Sequence, residues 1–122
     1  MKILFATGGT AGHINPALAV ASYIREKYPD SEILFVGTAD HMESRLVPNA
    51  GFDFKTIKIS GFRRSFAPKA IVHNIKTVCQ LVTSNSACKK IIKDFKPDVA
   101  VGFGGYVSGP VLQTAVSMHI PT

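Results

Sequence analysis

Apolar positions along this chain switch between two periods. Lys2–Thr7 is a short, nearly unbroken apolar run that ends in glycines, as a buried strand does. Beyond the glycines, Ala17, Val20, Ala21, Ile24 and Tyr28 recur at helical spacing, with Asn15 placed as N-cap and Pro16 as the first helical residue. Glu32–Val36 predicts a second strand, closed by Gly37. Asp40-His41-Met42-Glu43 has capping-box form and predicts a short helix that Pro48 and Gly51 bring to an end. Phe54–Ile59 reads as a third strand. Pro68 then opens a longer helix, with Ile71, Ile75, Val78 and Val82 on one side and Lys69, His73, Lys76 and Gln80 on another. Cys88, Ile91, Ile92 and Phe95 mark a further helix or its continuation. Val99–Phe103 is a fourth strand, followed by Gly104-Gly105 and a helix starting near Ser108-Gly109-Pro110. Ile120-Pro121-Thr122 has the look of an approach to a fifth strand, so a longer protein is expected, of which this is the N-terminal part.

Strands that alternate with helices imply an α/β fold: a parallel sheet covered on both faces through right-handed crossovers. The 122 residues suffice for one domain or a piece of a larger one, and 46% hydrophobic against 18% charged residues fits a packed core. The start, MKILFATGGT, is too short an apolar stretch for a signal peptide, and no run approaches the roughly 20 apolar residues of a bilayer span. Cys79 and Cys88 have neither metal-ligand nor redox spacing and read as reduced thiols.

Charge sharpens this picture by its placement. The net +6 is unevenly laid out: from Phe54 to Lys93 no acidic residue occurs, while Lys55, Lys58, Arg63, Arg64, Lys69, Lys76, Lys89, Lys90 and Lys93 do. Such a stretch is either a solvated basic face or one that meets an anion. Nucleic acid is disfavoured, because no helix-turn-helix or RNP-like pattern accompanies the cations. Phe62 and Phe66 flank Arg63-Arg64, and rings beside cations suit an acidic bilayer; with Lys69 and Lys76 they form the candidate membrane-facing set, unless the two rings are buried against the sheet.

Ligands of such sheets bind at the carboxyl ends of the strands. Two glycine turns fall there, Gly8-Gly9-Thr10-Ala11-Gly12 and Gly102-Phe103-Gly104-Gly105. Bare backbone N–H groups followed by a helix N-terminus suit phosphate oxygens or sugar hydroxyls. A Cβ at Gly105 is expected to intrude on a bound diphosphate. The dinucleotide pattern GxGxxG fails at Thr10, no acidic residue closes the second strand, and no GK[ST] exists, which argues against nicotinamide enzymes and P-loop NTPases. His13 stands in the first helical turn, where the dipole disfavours the imidazolium. It is either a neutral base for a substrate hydroxyl or a histidine that only ties down the turn.

Four segments in this order, "GGTAGHINPALAVA", "GTADHMESRLVP", "ISGFRR" and "KPDVAVGFGGYVSGP", resemble the N-terminal half of the MurG family of bacterial glycosyltransferases. That family adds N-acetylglucosamine from UDP-GlcNAc to lipid I, a lipid-linked muramyl-pentapeptide. Ala11 departs from the family, which commonly has glycine there. The resemblance implies a GT-B architecture, two Rossmann-like domains with the site in the cleft between them, and makes residues 1–122 an incomplete acceptor-side domain without the donor-binding one. It implies that Thr10, Ala11 and Gly12 line the donor's side of the cleft and that His13 is the base or a transition-state contact. Gly104, Gly105, Tyr106 and Ser108 would face the lipid I diphosphate. The implied chemistry is one displacement with inversion, without cofactor or metal. The implied place is the cytoplasmic face of the bacterial plasma membrane, with lipid I, UDP-GlcNAc and an anionic phospholipid surface as partners. The other reading is a polyprenyl-diphosphate-binding module that needs a separate donor-binding subunit.

Overall fold

The computed structural model describes residues 1–59 and 68–122, apart from the side chains of Pro68, Ala70 and residues 76–84. The elements alternate along the chain: β1 (Lys2–Ala6), α1 (Ala11–Lys27), β2 (Glu32–Gly37), α2 (Glu43–Asn49), β3 (Asp53–Thr56), α3 (Pro68–Phe95), β4 (Val99–Gly102) and α4 (Ser108–Ser117). The four strands form one parallel sheet in the order β3-β2-β1-β4, with Phe5 opposite both Phe35 and Val101. This is the expected Rossmann-like α/β arrangement.

The period of two along a strand sends alternate residues to opposite faces. Ile3, Phe5 and Phe35 pack under α1 and α2 with Ala17, Ala21 and Val47, and the Phe5 and Phe35 rings stack at 5.0 Å. Leu4, Ala6, Leu34, Val36 and Ala100 face the other way, onto Cys88 and Ile92 of α3 and Val107, Val111 and Ala115 beside or within α4. Each fully buried large side chain contributes roughly 1.5–3 kcal/mol, so two closed faces make the sheet a rigid platform for its loops. Burial raises the Cys88 thiol to about 11, against the pull of a hydrogen bond with Thr114, which leaves it a packing residue.

Several expected boundaries move. Helix α1 begins at Ala11, not at Pro16, because Gly9 turns the chain at φ +90 and the Thr10 carbonyl already accepts from the His13 and Ile14 amides. Pro16 lies inside the helix, where it lacks the N–H that would reach the Gly12 carbonyl, and both residues are exposed. The buried face of α1 is Ile14, Ala17 and Ala21, whereas Val20 and Tyr28 are exposed. No side-chain cap closes the head of α2, which starts at Glu43. β3 and β4 are shorter than expected, yet the Ile57 amide still donates to the Gly37 carbonyl and the Phe103 amide to that of Ala6. The segment around Cys88 continues α3 as one 28-residue helix. Beside β4, the Pro121 carbonyl accepts from the Ala100 amide at 2.9 Å. Among the described residues no helix is long and apolar enough to cross a membrane.

Candidate functional site

β1 has β2 on one side and β4 on the other, so the strand order reverses between β1 and β4, and the two glycine turns leave their carboxyl ends there. Gly104 and Gly105 have φ +98 and +83, a region that residues with a Cβ seldom enter. A Cβ on Gly105 would land on the Gly8 carbonyl oxygen. The two turns therefore pack backbone on backbone, and the intruder at that position would meet the protein before any diphosphate, contrary to expectation. A Cβ on Gly104 would come within 2.8 Å of Cδ2 and 2.9 Å of Nε2 of His13.

His13 is thus half-buried between the turns. Its Nδ1 lies 3.3 Å from the Gly8 carbonyl oxygen and 3.3 Å from Thr10 Oγ1. A carbonyl only accepts, so Nδ1 carries the hydrogen and a neutral ring keeps its lone pair on Nε2. The turn-tying reading of His13 is met by Nδ1; Nε2 lies against Gly104 and has no hydrogen-bond partner among the described residues.

At the head of α1 the Ala11 and Gly12 N–H groups have no intrahelical acceptor. Ala11 is helical and absent from the positive-φ residues, so alanine is unstrained where the family commonly has glycine. Ser108 is buried: its Oγ accepts from the Gly104 amide at 3.0 Å and faces the Gly104 and Ala6 carbonyls at 2.8 and 3.0 Å. Its hydroxyl braces the second turn from behind, while Tyr106 stands 64% exposed at the rim.

One participant escaped the sequence reading. Glu43, expected as the last residue of a capping box, is fully buried at the turns. Its Oε2 accepts from the Gly9 amide at 3.1 Å, and its Oε1 from the Thr38 amide at 2.9 Å and the Thr38 hydroxyl at 2.8 Å. Desolvation pushes this carboxyl up, but the hydrogen bonds from Thr38, Gly9 and its own backbone outweigh it and hold Glu43 below its ordinary value of 4.5. The Thr38 hydrogen being given to Glu43, His41 Nδ1–H donates to Thr38 Oγ1 at 2.7 Å. Only the spacing of Glu43 after the Gly37-Thr38 strand end could have signalled this.

These groups enclose a cavity of about 260 Å³ lined by Gly9, Thr10, His13, His41, Gly105 and Tyr106 among others. Larger hollows of about 610 and 720 Å³, near Tyr28 and between Phe54 and Lys90, are reached by neither turn. The site residues expected from the sequence accordingly gather at one place: Thr10, His13, Gly105 and Tyr106 at the cavity, Gly104 under the His13 ring, Ala11 and Gly12 at the helix head, Ser108 behind. Of the expected membrane-facing set, Lys69 alone has a described side chain. Lys69 is exposed on α3; Phe62, Arg63, Arg64 and Phe66 lie outside the described residues, as does the Lys76 side chain.

Comparison with known proteins identifies relatives of the whole chain. The chain is 50% identical over all its 122 residues to the UDP-N-acetylglucosamine–N-acetylmuramyl-(pentapeptide) pyrophosphoryl-undecaprenol N-acetylglucosamine transferase of Lactococcus lactis subsp. cremoris (strain MG1363), covering 33% of that protein. It is likewise 50% identical to the enzyme of the same name from Acetivibrio thermocellus, covering 32%. The crystal structure of Acinetobacter baumannii MurG superposes with a TM-score of 0.80 at 27% identity, over 98% of this chain and 33% of that one. The chain thus spans about a third of the length of these relatives. Residues 3–122 match the glycosyltransferase family 28 N-terminal domain, and it is to this family that the chain belongs.

Proposed function

We propose that residues 1–122 form the acceptor side of a cleft in which N-acetylglucosamine passes from UDP-GlcNAc to a muramyl-pentapeptide carried on undecaprenyl diphosphate. The observation that carries the reading is the His13 ring held between two glycine turns at the reversal of strand order, with Nδ1 on the Gly8 carbonyl oxygen. The names of the half-identical relatives supply the substrates. The acceptor hydroxyl gives its proton to Nε2 as its oxygen bonds to the anomeric carbon. The bond from that carbon to the UDP oxygen breaks on the opposite face, and the configuration inverts. The Ala11 and Gly12 amides and the start of α1 lie where they oppose negative charge on a diphosphate. Exposed Tyr106 stands at the entrance for the acceptor.

The complete protein that carries this chain is expected to transfer labelled N-acetylglucosamine to a soluble lipid I analogue with inversion. Residues 1–122 alone are expected to transfer none, since two thirds of the relatives' length lies outside them. Transfer by the short chain, or none by the complete protein with either substrate present in excess, overturns the reading.

The lipid tail of such an acceptor stays in its bilayer, so the domain docks on the cytoplasmic membrane surface. On α3, Ile71, Val72 and Ile75 are 47%, 66% and 61% exposed beside exposed Lys69, within the stretch that lacks any acid. Apolar side chains enter the interface, and each cation adds about 1 kcal/mol near an anionic surface. Binding to phosphatidylglycerol vesicles is expected to fall with salt, and Arg63→Glu with Arg64→Glu to weaken it at least about tenfold. Equal binding to neutral vesicles places the docking face elsewhere.

A further inference from the structure

The carboxylate of Glu43 and the imidazole of His13 touch the two ends of one peptide group. The Gly8–Gly9 peptide gives its N–H to Glu43 Oε2 at 3.1 Å, and its carbonyl oxygen faces His13 Nδ1 at 3.3 Å. In a trans peptide these two groups point in opposite directions, so a pull on one end fixes the orientation of the other.

The surroundings are shaped to admit the carboxylate. A Cβ on Gly8 would lie 2.5 Å from Glu43 Oε1, and one on Gly37 would land on Glu43 Cγ. Two glycines of the sequence motifs thus make room for this side chain. A fully buried carboxylate is costly to hold, and among the described residues no cation pairs with it: its oxygens meet amides and one hydroxyl. A buried carboxylate whose lost hydration is offset by hydrogen bonds alone, next to a half-buried histidine, calls for a role beyond packing.

We propose that Glu43 is a positioning residue for His13, acting through the Gly8–Gly9 peptide. The carboxylate orients and polarises that peptide; its carbonyl then holds the hydrogen on Nδ1 and leaves Nε2 as the proton acceptor. Hydrogen bonds in series strengthen one another, so the anion raises the accepting power of the carbonyl two bonds away. Glu43 also uses up the Gly9 amide, so an incoming diphosphate finds the Ala11 and Gly12 amides instead. The kinetic consequence rests on the transferase reading; the choice of tautomer does not.

The test uses the complete protein with ¹⁵N-labelled histidine, the His13 signals being assigned through their loss in His13→Gln. In the wild type at about pH 8, where an ordinary imidazole is neutral, His13 is expected to be protonated at Nδ1. Glutamine has a single carbonyl oxygen, so in Glu43→Gln either Gly9 or Thr38 loses its acceptor. Glu43→Asp keeps the charge but is a methylene too short to span both, and serves should the first variant fail to fold. Each is expected to mix the two His13 tautomers and to lower kcat about 10- to 100-fold, as small misplacements do, with KM within about threefold. Mixed tautomers in a protein without transferase activity sustain the positioning role and refute the function. A wild-type tautomer in both variants overturns the proposal, even if kcat falls.

Discussion

In the complete enzyme, His13→Ala is expected to lower kcat by about 10²–10⁴-fold, the range lost with a general base. Alanine removes the lone pair on Nε2 and, with it, the ring that fills the space above Gly104. It also frees the Gly8 carbonyl and Thr10 Oγ1 that met Nδ1. The second loss is local, because the α1 register is held by backbone bonds from His13 and Ile14 to Thr10, which alanine keeps. Steady-state kinetics with both substrates separate the two effects. If KM for the acceptor rises while kcat stays within a fewfold of wild type, His13 is a binding contact and some other group takes the proton.

The sheet and its covering helices could be read from the sequence because both are built from repeated local signals. Runs such as Ile3–Ala6 and Ile33–Val36 are apolar on both faces, as strands covered twice must be, and the glycines after them fix where each strand stops. The helix heads were less legible. Asn15-Pro16 obeys the rules for a helix start, yet the positive φ of Gly9 turns the chain earlier and Pro16 is carried as the sixth helical residue. The site was half legible for a similar reason. Glycine turns and a histidine in a first helical turn are visible in one window of sequence, so His13 and Gly104-Gly105 stand out. Glu43 acts 34 positions away from Gly9. A carboxylate that crosses between two loops leaves no periodic trace, and its local spacing imitates a helix cap. Ser108, which the resemblance set facing a diphosphate, sends its hydrogen bonds inward to Ala6 and Gly104.

Gly105→Val is expected to damage both stability and activity, since the position is closed twice over. Its φ of +83 costs a residue with a Cβ roughly 1–3 kcal/mol. The Cβ also points at the Gly8 carbonyl oxygen, a backbone atom that cannot swing aside. Relief requires the second turn to lift from the first, and that movement strips Gly104 from the His13 ring and moves the Gly8 carbonyl that fixes its tautomer. Thermal melting of Gly105→Val is expected to show a loss of about 1–3 kcal/mol, and kcat/KM to drop by at least about 10²-fold, as for other displaced catalytic groups. Gly105→Ala isolates the backbone part and is expected to lie between valine and wild type. Gly109 gives the contrast: it lies in the first turn of α4, has no positive φ, and a Cβ there meets nothing within 4 Å beyond its chain neighbours. Gly109→Ala is accordingly expected to leave activity unchanged and stability within about 0.5 kcal/mol, since the Cβ meets only the ring of the following Pro110. Equal melting and equal turnover for the two alanine variants would mean that the glycine turns do not rest on one another, and the seat assigned to His13 would go with them.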